Sequence, residues 1–100
     1  MPSSKEILRC LRRIGYVIEA QRGKGSHTLA HFEYEKETVC VTTVQRARDI
    51  PKGTLASIKP ATALTDPQEF DRCMRDQLTR QEYVGILLRQ RVIALTHHER

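Results

Sequence analysis

The chain has 100 residues, 39% apolar and 29% charged, with a formal net charge of +5 and no tryptophan. That is enough for one domain with a modest, mainly aliphatic core, and too apolar for a disordered polypeptide. No apolar run approaches the roughly 18 residues of a membrane span. The opening Met1-Pro2-Ser3-Ser4-Lys5-Glu6 lacks the apolar stretch of a secretion signal, so a soluble, cytoplasmic protein without membrane partners is expected.

Ser3 and Glu6 form a capping-box pattern, which predicts a helix starting near Ser4. Ile7, Leu8, Leu11 and Ile14 follow at helical spacing, with Lys5, Arg9, Arg12 and Arg13 on the remaining surface. Gly15 is placed to end the helix. Tyr16–Gln21 reads as a short strand. A second strand is expected from His27 to Tyr34, with Thr28, Ala30, Phe32 and Tyr34 on one face and His27, Leu29, His31 and Glu33 on the other. Glu35-Lys36-Glu37 is a charged hairpin tip, and Thr38–Val44 a third strand. Short connections make an antiparallel meander the natural pairing.

Gln45–Asp49 reads as a polar, basic connection. A second helix then begins, with Pro51 in its first turn, Leu55 and Ile58 facing the sheet, and Pro60 as its stop. Residues 60–65 read as a linker. Asp66-Pro67-Gln68-Glu69 starts a third helix with Phe70, Cys73, Met74 and Leu78 on its apolar side. Thr79 and Glu82 form a second capping box before a final helix through Tyr83, Ile86 and Leu87, continuing over Val92–Leu95. These two helices suggest a helical hairpin with one buried face. Thr96–Arg100 should fray, and His97-His98 is a weak basis for a metal site.

Cys10, Cys40 and Cys73 are odd in number and far apart, without zinc-type spacing. They read as small buried hydrophobes in a reducing compartment, and no metal or cofactor is expected. The charge is uneven. Residues 1–60 carry eleven Lys and Arg against six Asp and Glu, whereas residues 61–100 carry six of each. A basic segment favours polyanions through phosphate contacts, though it is also ordinary solubilising charge.

Within that segment lies Gly23-Lys24-Gly25-Ser26-His27, a tight loop opening into the second strand. Glycines let backbone amides approach an anion, and an imidazole beside such a loop suits proton transfer in phosphodiester chemistry. The alternative is a surface histidine at a hairpin.

The helix–three strands–helix order over residues 4–59 is that of a double-stranded-RNA-binding-domain-like (dsRBD-like) α+β fold, here with a three-stranded antiparallel sheet and a C-terminal helical hairpin. Gly25-Ser26-His27 and Ile50-Pro51-Lys52-Gly53-Thr54-Leu55-Ala56-Ser57-Ile58, with Ser4-Lys5-Glu6-Ile7-Leu8, Leu11, Gly15 and Tyr16, together resemble the HicA toxin family. The resemblance implies a toxin core over residues 1–60, with residues 61–100 as a helical extension packed on the same domain. It also implies a messenger-RNA-cleaving endoribonuclease that works without a metal, held inactive by a HicB-like antitoxin, with His27 as the catalytic histidine. Many members carry a proline and a second histidine at the end of the third strand, where this chain has Thr43-Val44-Gln45. In the family the second helix often runs further than Pro60 allows. The C-terminal helices could extend the core, form a dimer contact or meet the antitoxin; the free toxin is expected to be a monomer or weak dimer.

RNA cleaves itself when a 2′-hydroxyl attacks the adjacent phosphate, which needs a base, an acid and cations. His27 is the expected proton-transfer group. Ser26 and the Gly25 amides could position the phosphate, and Arg22, Lys24 and Lys52 could neutralise its charge. His31 falls on the same strand face, roughly 13 Å away at 3.3 Å per residue, too far for both imidazoles to act on one phosphate. The second proton-transfer group is then water or a lysine. The alternative function is a non-catalytic RNA-binding module of the same fold.

Overall fold

The computed structural model describes residues 1–20 and 26–94. The elements are α1 (Ser4–Arg13), β1 (Val17–Ala20), β2 (His27–Tyr34), β3 (Glu37–Gln45), α2 (Lys52–Ala61), α3 (Pro67–Met74) and α4 (Arg80–Arg89). The three strands form an antiparallel sheet in the order β1-β2-β3. This is the dsRBD-like α+β order, followed by two further helices.

Local chemistry accounts for most element ends. Ser3 and Glu6 close a full capping box on α1, and Thr79 and Glu82 close one on α4. Backbone N–H donation to each glutamate, from Ser3 and Thr79, holds its carboxyl below the usual range. Asp66 caps α3 through Gln68 N–H. Gly15 follows α1 at φ +112°, where a Cβ would stand 3.1 Å from both Phe32 and Arg80. A side chain there is excluded by both torsion and space. The β2–β3 hairpin turns on two residues, Glu35 and Lys36, both at positive φ, as in a type I′ turn. Glu37 belongs to β3 rather than to the tip. Val39 is an extra residue on β3, because Phe32 faces Cys40 while Glu33 faces Thr38.

The inner sheet face carries Ala30, Phe32, Cys40 and Val44, which pack with Ile7, Leu11, Leu55 and Ile58 of α1 and α2. Tyr83 of α4 reaches the same core fully buried, edge-on to Phe32 at 5.0 Å and beside Tyr16 at 5.7 Å. Its hydroxyl donates to the Thr62 carbonyl at 2.6 Å. The Tyr16 hydroxyl, next to it, is then the donor to Tyr83. Burial pushes both phenols well above their ordinary pKa.

Several expectations change. α2 runs through Pro60 to Ala61, and Pro51 lies just outside it as an N-cap with no side-chain cap bond. Proline in the last turn costs one backbone bond, but only Ala61 follows it before the helix closes. Thr62, Ala63 and Leu64 are buried, not an exposed linker. Leu64 N–H reaches back to Lys59 and Ala63 N–H to Pro60, so the chain folds inward there. α3 packs on α1 as well as meeting α4 through the Arg72–Glu82 and Arg89–Glu69 ion pairs. α4 stops at Arg89, short of Val92. Leu95 and Thr96–Arg100, with His97 and His98, lie outside the described residues. The three cysteines are free and buried, as their spacing suggested.

Candidate active site

β2 opens on His27 because pairing with β3 begins there. Ser26 adds a last rung, its carbonyl accepting Arg46 N–H at 2.6 Å. Register places His27 directly opposite Gln45, the final residue of β3. By strand alternation both side chains fall on the outer sheet face, with Leu29 and Thr43 as the next pair. His27 is half-buried and Ser26 exposed. The Ser26 Oγ stands 3.5 Å from His27 Nδ1, at the outer limit of a hydrogen bond. The second ring nitrogen, Nε2, has no protein partner among the described residues.

Beyond Gln45 the chain crosses to α2 over a cleft of about 210 Å³ lined by Gln45, Arg46, Ala47, Asp49, Ile50, Pro51 and Thr54. Lys52 is the first residue of α2, exposed, and follows Pro51, which lines this cleft with Gln45. No bond joins it to His27 among the described residues. Arg22, Lys24 and Gly25 lie outside the described residues. The structure therefore brings Ser26 and His27 together and sets Lys52 at the same end of the sheet.

His31 is held elsewhere. It sits between Val17 and Val41 in the ladder, with Glu19 Oε2 3.8 Å from Nε2 and Glu33 Oε2 3.5 Å from Nδ1. Two carboxylates bracket this imidazole, and its side chain is only 14% exposed. Among the described residues no group of three or more His, Cys, Asp or Glu could hold a metal ion. No described helix is long and apolar enough to cross a membrane.

By composition Gln45 and Arg46 read as a connection, although the family resemblance sets Gln45 at the end of the third strand. The strand register makes them the nearest neighbours of His27 and Ser26 across the ladder. Aligning the two strands from the hairpin turn would have shown it, except that the Val39 bulge shifts the count by one.

A sheet of three antiparallel strands with α1 and α2 packed on its inner face, and a Ser-His pair at one open end, defines the class as a small dsRBD-like domain with a half-buried imidazole. Residues 4–64 match the family model described as the HicA toxin of bacterial toxin–antitoxin systems. The chain belongs to the HicA toxin family and is the toxin member of a toxin–antitoxin module, with an antitoxin as its partner. The match runs from the first residue of α1 to the inward turn at Leu64, leaving α3 and α4 beyond it. Comparisons with curated proteins and with solved structures return no match.

Proposed function

We propose that this toxin is a metal-independent endoribonuclease that cuts messenger RNA with His27 as its single catalytic histidine, and that a HicB-like antitoxin inhibits it by covering that site. Family membership supports it, and one geometric observation carries it to a residue. His27 stands at the open end of the sheet with Nδ1 turned toward Ser26 and, among the described residues, no protein partner at Nε2.

The chemistry follows from that orientation. An Nδ1–H donated to Ser26 Oγ leaves Nε2 with its lone pair, the form a base needs. His27 takes the 2′-hydroxyl proton as the 2′-oxygen attacks phosphorus. The bond from phosphorus to the 5′-oxygen breaks, giving a 2′,3′-cyclic phosphate and a 5′-hydroxyl end. The proton for the leaving oxygen comes from water or a lysine. Ser26 and the Gly25 amide hold the phosphate, while Arg22, Lys24 and Lys52 offset its charge.

A second reading, an RNA-binding module without cleavage, draws on Gln45. That residue faces His27 where many family members carry a second imidazole. Induced expression of wild type beside His27→Ala, with growth and transcript integrity read together, separates the two. Arrested growth with broken transcripts in wild type alone supports the ribonuclease. Intact transcripts with both chains, at equal soluble level, support the binding module.

A further inference from the structure

The described cations fall into two groups. Arg9 and Arg13 meet Asp76, Arg72 meets Glu82, Arg75 meets Asp71 and Arg89 meets Glu69. Lys59 lies over the Phe70 ring and Arg80 over Phe32. Lys5, Arg46, Arg48 and Lys52 have no carboxylate or ring partner among the described residues, and all four are exposed at one end of the molecule. Arg12, Lys36 and Arg91 are also unpaired, but they are scattered over the last turn of α1, the β2–β3 turn and the residues after α4.

Of the first four, Lys5, Arg46 and Arg48 border two adjoining clefts. Arg46 and Ala47 are common to both. The second cleft, about 290 Å³, is lined by Ser3, Ser4, Lys5, Arg46, Ala47 and Arg48. The segment carrying the arginines is fixed. Ser4 N–H donates to the Ala47 carbonyl at 2.9 Å, the Ser4 hydroxyl donates to that same oxygen, and Ala47 N–H donates back to Ser4 Oγ at 3.0 Å. Ile50 N–H is pinned to the Pro2 carbonyl at 2.8 Å. Arg46 and Arg48 therefore flank a clamped residue, with their side chains left in water.

Two carboxylates lie near. Asp49 lines the first cleft and stands 4.0 Å from the Met1 amino group; Glu6 is engaged by Ser3 N–H. Cations desolvated by neither carboxylate nor ring, on a fixed backbone, suit a polyanion whose charges recur along a chain. The Arg46 N–H bond to Ser26 ties one end of this surface to His27.

We propose that single-stranded RNA continues from His27 around the end of β3 and lies across these two clefts, with its backbone phosphates on Arg46, Arg48 and Lys5. The proposal deepens the RNA-cleaving function above and rests on it. The contacts are to phosphate, so they set position and affinity without reading base sequence.

The test is fluorescence-anisotropy binding of a labelled 2′-O-methyl RNA oligonucleotide, which lacks the attacking hydroxyl, to the full chain over a salt series. The variants are Arg46→Ala/Arg48→Ala and a control of equal charge, Arg12→Ala/Arg91→Ala. The path predicts roughly five- to tenfold weaker binding for the first pair only, and a log–log salt slope shallower by about 1.4, or about 0.7 per lost phosphate contact. Equal losses in both variants, or none in the first, overturn the path and leave the cleavage function standing. Absence of binding by every chain at low salt removes RNA altogether. If Arg46→Ala/Arg48→Ala binds RNA normally but escapes inhibition by the antitoxin, the surface serves the protein partner and the RNA path is wrong.

Discussion

The two ends of this molecule use the same residue types in opposite ways. At the α3–α4 end arginines meet carboxylates, glutamates close capping boxes, and Tyr83 seals the core against Phe32 and Thr62. At the His27 end, among the described residues, the arginines and lysines meet no carboxylate and one imidazole nitrogen meets no protein partner. Exposed ion pairs contribute only about 0–1 kcal/mol each, so their absence at one end costs the fold little. The difference teaches where charge is structural and where it is available. Within the basic residues 1–60, Arg9 and Arg13 are consumed by Asp76 and Lys59 by the Phe70 ring, whereas Arg46 and Arg48 follow β3 at the end where Ser26 and His27 stand.

The comparison breaks most visibly at the sealed end. Tyr83→Ala removes a fully buried ring and its bond to Thr62, at an expected cost of about 3–5 kcal/mol in denaturant unfolding. A loss below about 1 kcal/mol would mean that α4 is not integral to the core. Ser4→Ala leaves Ala47 N–H without its partner at the open end, and should cost about 1–3 kcal/mol. It should also weaken RNA binding, by loosening Arg46 and Arg48, more than Tyr83→Phe does. Arg91→Gly relieves a non-glycine residue at φ 61° after α4 and should stabilise by up to about 1 kcal/mol, with RNA binding unchanged. Destabilisation by that change would assign Arg91 a contact not seen in its exposed side chain.

What the sequence revealed was what short-range chemistry decides. The capping boxes at Ser3 and Thr79 and the period-two burial of β2 depend on neighbours within a few residues, and all three are present. Thr62–Leu64 read as a linker because its burial depends on Tyr83, a residue about twenty positions on. The pairing of α3 with α1 brings Cys10 against Met74 and Arg9 onto the Met74 carbonyl, contacts that no periodicity connects. The hairpin tip at Glu35-Lys36 was legible without an Asn or Gly to mark it, and only Glu37 moved into β3. At the candidate site, the start of β2 at His27 was legible from its glycine-rich approach. The resemblance set Gln45 at the end of the third strand, but its pairing with His27, and that of Arg46 with Ser26, depends on a register displaced by the Val39 bulge.

The most direct test of the central claim is the chemistry of the cut ends, using purified wild type and His27→Ala on a transcript freed of other nucleases. The account predicts 2′,3′-cyclic phosphate and 5′-hydroxyl termini from wild type, and cleavage reduced by about 10²–10⁴-fold in the folded variant. Termini with 3′-hydroxyl and 5′-phosphate, or undiminished cleavage by His27→Ala, would contradict it.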